Sequence, residues 1–290
     1  MAIKESELLI NEDGSIYHIN LKPEEIADTI ILVGDQDRVE MVASFFTSIE
    51  LKKHKREFYT VTGIFNNKRV TVMSTGIGTD NIDIVINELD ALVNIDLKTR
   101  EIKKERKVLN LIRIGTSGGL QAELIPGSYI VSKSSVGFDG MLNYYKDIVD
   151  ITDTQFEDAF MSHTNWNKRL ATPYIVNASE KLTNKLVGEK YNHGITISSN
   201  GFYGPQGRIL RLDTADNELN DKIHTFEYNG RKISNYEMES SALAGLAKML
   251  GHEATTVCLI IANRITKNSV TNYHPFMKEL VLDVLNKVTE

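Results

Sequence analysis

The chain has 290 residues, of which 41% are hydrophobic and 25% charged, with a formal net charge of -6 and a single cysteine. That balance is the mix expected of a soluble globular protein of enzyme size, and it argues against a nucleic-acid partner, which calls for a basic face. No apolar run approaches the roughly 20 residues that span a bilayer, the opening "MAIKESELLINEDG" lacks a signal peptide's apolar core, and a lone cysteine fits a reducing compartment, so a cytoplasmic location is expected.

In chain order, "TIILV" (29–33) is the first predicted strand; it ends at Gly34, and a helix opens near Asp37 with Val39, Val42 and Phe46 on one stripe. "TVTGIF" (60–65) and "RVTVMST" (69–75), joined by "NNK", predict a hairpin, and "STGIG" (74–78) is a turn at its end. The stripe Ile82, Ile86, Leu89 and Val93 predicts a second helix, and the basic run "LKTREIKKERK" (97–107) reads as a solvated helix or loop insertion. Further strands are expected at 108–115, 128–133, 194–199 and 255–263, the last holding Cys258 as a buried structural thiol. The Asp- and Asn-rich stretch 144–175, with the only tryptophan, Trp166, reads as a loop or lid-like excursion. "EMESSALAGLAKML" places Met238, Ala242, Leu246 and Met249 on one stripe ended by Gly251, and apolar residues from 276 to 288 predict a closing helix. Strands alternating with helices predict an α/β three-layer sandwich around a central mixed β-sheet, in one domain over 1–290.

Chemistry gathers where such strands run out. Gly34 and Arg38 follow the first strand; glycine lets a backbone approach a ligand, and amides at a helix start favour an anion, although a plain turn has the same look. Arg113 stands on an apolar strand before "GTSGG"; an anion or an internal carboxylate must meet it. Glu237 and Glu239 flank Met238 where a helix opens; they either cap it or accept hydrogen bonds from a sugar diol. "GFYGPQGRIL" (201–210) offers an aromatic, an amide and a guanidinium: a flat ring stacked on Phe202 could show an imide edge to Gln206 and a carbonyl to Arg208, as uracil does. A dinucleotide oxidoreductase lacks support, for want of a G-x-G-x-x-G turn.

These residues together resemble the nucleoside phosphorylase family, and within it the uridine phosphorylases, from about Tyr17 to the C-terminal helix. "GDQDR" is similar to the family's phosphate loop, "RIGTSGG" to its RIGTxG segment, "NYEMES" to its ribose signature and "FYGPQGR" to its base loop. The resemblance implies phosphorolysis of uridine to uracil and ribose 1-phosphate, with inorganic phosphate as co-substrate and no cofactor. Phosphate falls to Gly34, Arg38, Arg113 and Thr116, with Arg56 lent by a neighbouring subunit. Ribose falls to Met238 and Glu239, with His18 lent in the same way, and the base to Phe202, Gln206, Arg208 and Arg264. Arg113, Thr116, Glu239 and Arg208 are the residues expected to carry catalysis. A homo-oligomer is implied, a trimer of dimers or a single dimer. Gln36 replaces the family's proline, Gly204-Pro205 reverses the usual order, and Asn81 replaces a serine at a monovalent-cation site that keeps Glu57, which weakens the case for potassium. "ANRI" (262–265) stands where purine enzymes of this fold carry Ser-Asp. Two rivals remain: a nucleosidase that uses water, and a nucleoside-binding protein without turnover.

Overall fold

The structure, a computed structural model, describes residues 2–290. In chain order its strands are β1 (Thr29–Val33), β2 (Ser48–Lys55), β3 (Phe58–Phe65), β4 (Lys68–Ser74), β5 (Ile95–Asp96), β6 (Glu101–Ile102), β7 (Asn110–Gly119), β8 (Tyr129–Gly137), β9 (Tyr174–Asn177), β10 (Tyr191–Ser198), β11 (Glu227–Tyr228), β12 (Arg231–Glu237) and β13 (Glu253–Asn263). The α-helices are α1 (Gln36–Ala43), α2 (Thr79–Asn94), α3 (Thr154–Thr164), α4 (Glu180–Thr183), α5 (Leu219–Thr225), α6 (Ser240–Leu250) and α7 (His274–Thr289). All strands but β5 and β6 join one mixed sheet. Here β1 lies parallel between β4 and β7, and the predicted hairpin β3–β4 is antiparallel.

Alternation along β1 assigns the layers. Ile30 and Leu32 pack with α2 and α6 on one face, whereas Ile31 and Val33 pack with α1 and α7 on the other. Both faces of the strand are thereby buried, which is why "TIILV" reads as a continuous apolar run. At its other end the sheet curls: β13 pairs with β7 and β8, β10 with β8 and β12, and β12 returns to β7 through Tyr236 opposite Gly118 and Asn235 opposite Gly119. These five strands form a closed ring. Phe156 and Phe160 of α3 and Ile223 of α5 fill a third core against it.

Several expectations change. The strand expected over 108–115 runs further: β7 continues through the glycine-rich "GTSGG" to Gly119, because both its edges are paired there. The stretch 144–175 contains α3 and the start of β9, and Trp166 packs on Phe138 with ring centroids 4.7 Å apart. The run 97–107 holds β6, which pairs antiparallel with β5 just before the run. Strand β2, "SIELKKHK", escapes the apolar pattern because it is an edge strand with mostly exposed side chains. Phe46 lies beyond the end of α1, and Met238 precedes α6; Gly251 does terminate that helix, at φ +82°. No described helix is long and apolar enough to cross a membrane.

Candidate active site

The carboxyl ends of β1, β7, β12 and β13 converge on a cavity of about 480 Å³. Of the residues singled out from sequence, Gly34, Arg38, Arg113, Thr116, Phe202, Gln206, Arg208, Glu237, Met238 and Glu239 line it. Four stretches distant in sequence thus meet in one place.

Arg113 is the centre of the first corner. Its side chain folds back over Gly115, where an added Cβ would come 2.2 Å from Nη1, so glycine there makes room for the guanidinium. Nη2 donates to Glu239 Oε2, and Nη1 stands 3.4 Å from Glu237 Oε2. Nε and Nη1 nevertheless have no hydrogen-bond partner, although the residue is only 5% exposed. The internal-carboxylate alternative therefore holds, and two donor atoms of the guanidinium are left over. Arg38, from α1, reaches the Ile114 carbonyl at 3.4 Å. Burial, and then the charge of Arg113, pulls its pKa below the usual value. Adjacent half-desolvated guanidinium groups favour an anion between them.

The second corner separates the glutamates. Glu237, the last residue of β12, accepts from the Ser198 hydroxyl (2.6 Å), the Ser240 hydroxyl (2.7 Å) and the amides of Glu239 (2.9 Å) and Ser240 (3.0 Å). It satisfies the start of α6, which is the capping role. Glu239 accepts from the Gly78 amide at 2.8 Å and from Arg113, and it faces the cavity. Burial raises its pKa to about 7, with Arg113 opposing and Glu237 adding to the rise. The "STGIG" turn supplies the Gly78 amide through a positive φ of 99°, a conformation that suits glycine.

The third corner is the loop after β10. Gln206 is buried, and its Oε1 accepts from Arg208 Nη1 at 2.6 Å and Arg264 Nη2 at 3.1 Å. Arg264 also holds the Gln206 carbonyl at 3.2 Å, so it orders the loop without lining the cavity. The Arg208 guanidinium lies 3.7 Å from the Phe202 ring centroid. That face of Phe202, expected to receive a flat ring, is occupied by Arg208 in this state. Burial, and then Arg264, lowers the Arg208 pKa to about 10.

His18 and Arg56 do not line the cavity of their own chain. Glu88 fixes His18, accepting from its amide at 3.0 Å and meeting Nδ1 at 2.6 Å. Arg56 sits exposed in the β2–β3 turn, in the left-handed region at φ +56°. Glu57, Gly76 and Asn81 are neighbours: a Cβ on Gly76 would meet Asn81 Nδ2 at 2.5 Å and Glu57 Cγ at 3.3 Å. Sequence reasoning missed Ile77, Ser117, Tyr236 and Ile261 in the cavity wall. Ile77, Ser117 and Tyr236 lie inside stretches already singled out, and Ser117 Oγ is buried without a partner; Ile261 carries no distinguishing signal.

The model of the phosphorylase superfamily matches residues 28–290. A uridine phosphorylase of Thermococcus kodakarensis is 30% identical over 88% of this chain and 80% of its own length. A DeoD-type purine nucleoside phosphorylase of Alkaliphilus metalliredigens is 29% identical over 88% of this chain and 91% of its own. The crystal structure of a Trypanosoma brucei nucleoside phosphorylase that shows uridine phosphorylase activity superposes with a TM-score of 0.84, at 26% identity, over 98% of this chain and all of that one. With its mixed sheet, strand-end cavity and paired arginines, the chain belongs to the phosphorylase superfamily.

Proposed function

We propose that the chain cleaves uridine with inorganic phosphate, giving uracil and ribose 1-phosphate. The observation that carries this reading is Arg113, buried with spare donors beside Arg38, in the same cavity as the Gln206–Arg208 pair. A hydrolase using water has no need of that cationic corner. Phosphate sits against Arg38, Arg113 and Thr116 below the sugar. Glu239 accepts a hydrogen bond from a ribose hydroxyl, and Met238 packs on the ring. A phosphate oxygen attacks the anomeric carbon as the glycosidic bond breaks. The bonding electrons leave with uracil, which takes a proton from solvent. Arg208 and the Gln206 amide stabilise the charge gathering on the base. Catalysis is positioning and electrostatic preorganisation, with no protein nucleophile.

Purine relatives make the base the point to decide. Asn263 stands next to Arg264 in "ANRI", and its side chain is consumed by the Gln121 and Leu124 carbonyls (2.7 and 2.9 Å) and the Ile265 and Thr266 amides (2.8 and 2.9 Å). It has no group left to protonate a purine. The reading also requires a second copy of the chain, at least a dimer and by resemblance a trimer of dimers, to bring His18 and Arg56 to the cavity. A panel of nucleosides assayed for free base, with and without phosphate, tests the whole reading. Phosphate-dependent release from uridine and slow release from inosine are expected. Inosine as the best substrate overturns the base assignment, and full-rate release without phosphate overturns phosphorolysis.

A further inference from the structure

A second cavity, of about 290 Å³, lies beside the first and shares its base loop. Phe202, Gln206 and Arg208 face the active-site cavity, whereas Gly204 and Pro205, within the same turn, face the second. The turn is tightly held. A Cβ on Gly201 would meet Pro205 Cγ at 2.7 Å, one on Gly207 would meet Asn220 Nδ2 at 2.2 Å, and that amide donates to the Gln206 carbonyl at 3.1 Å. Whatever presses on Pro205 therefore bears on Gln206.

The walls indicate what fits. Phe138 and Trp166 supply aromatic surface, and the Trp166 N–H is already given to the Ala171 carbonyl at 3.0 Å. Phe138 and Trp166 pack on each other, so the aromatic surface left at the cavity wall is chiefly that of the half-buried Trp166. Asp213 and Asp216 line the rim, while no lysine or arginine does. Asp216 is neutralised by Lys222 at 2.9 Å; Asp213 forms no ion pair among the described residues. Aromatic walls beside an uncompensated carboxylate favour a flat cation.

We propose that this second cavity binds a small planar cation, an aryl amidine or a protonated amino-heterocycle, and that its occupancy changes how firmly the base loop holds its base. The effect on the base rests on the uridine reading; the binding does not. Trp166 is the chain's single tryptophan, so its fluorescence in the full-length protein reports the cavity directly. Benzamidine is expected to change that fluorescence saturably, and isosteric benzoate is expected not to. Asp213→Asn should weaken benzamidine by about tenfold, the scale of one charge-assisted contact. Ala215→Phe, which fills the cavity from its wall, should abolish the response; neither variant touches the active-site residues. Saturating benzamidine should shift KM for uridine by roughly fivefold, a typical coupling, and leave KM for phosphate unchanged. No saturable response, an equal response to benzoate, or a response that survives Ala215→Phe rejects the site. Binding without a change in KM for uridine rejects the coupling. If uridine is not cleaved at all, the functional reading and the coupling fall together, and the titration still decides the cavity.

Discussion

Arg113 and Glu239 each depend on the other. Burial works against the arginine's charge, and Glu239 and then Glu237 more than restore it. Arg113→Ala leaves Glu239 buried without its counter-ion and removes the spare donors. Turnover should fall about 10²- to 10³-fold, the usual scale for one preorganised donor, measured as kcat/KM with phosphate varied. Gly115→Ala should act on the same atom from below. Its methyl takes the space of Nη1, so the guanidinium is displaced and kcat/KM drops comparably, while overpacking costs about 1–3 kcal/mol of stability. Full activity in Gly115→Ala would show that the arginine's position is unimportant. Glu239 has a pH signature. Its folded-state pKa lies above its unfolded value, so the folded protein binds the proton more tightly and loses stability as pH rises from about 5 through 7. Relative to Glu239→Gln, the wild type's Tm should therefore decline over that window in ligand-free buffer. A difference in Tm that is flat with pH would contradict the burial argument.

At the scale of elements, α6 begins on a carboxylate outside it. Glu237 gathers two amides and two hydroxyls, so Glu237→Ala should cost about 1–3 kcal/mol, the penalty for stranding buried donors, read from urea unfolding. The two glutamates looked interchangeable in sequence, because either a cap or a sugar contact explains a carboxylate at a helix start. Only the strand running through Glu237 tells them apart. Apolar elements such as β1, α2 and α7 were legible, since burial on a fixed period writes itself into residue type. Strand β2 was not, because an edge strand with lysines outward has no such period. The "GTSGG" half of β7 was not legible either. Glycines there relieve crowding against Arg113 and Leu124, a tertiary reason that local propensity does not contain. The site motifs were legible as a set, but the occupation of Phe202 by Arg208 was not. It depends on how a loop settles around a neighbouring guanidinium, Arg264.

For the molecule as a whole, each cavity is expected to be finished by residues from another copy. Arg113→Ala and Arg56→Ala, each nearly inactive alone, should complement when mixed under conditions that exchange subunits. In a two-fold dimer, mixed pairs contain one intact site, so roughly a quarter of all sites should recover. No recovery, with exchange confirmed by mass, would place Arg56 outside the reaction. The closed ring of strands joins the corners of the cavity through backbone hydrogen bonds, whereas Arg56 projects from a hairpin at the sheet's opposite end.

The left-handed backbone of Arg56 carries one more consequence. A side-chain-bearing residue held there costs on the order of 1 kcal/mol relative to glycine. Arg56→Gly should consequently yield a protein that melts no lower than the natural one and turns over far more slowly. A tougher but idle variant would mean that the hairpin tolerates local discomfort for the sake of what its tip delivers elsewhere.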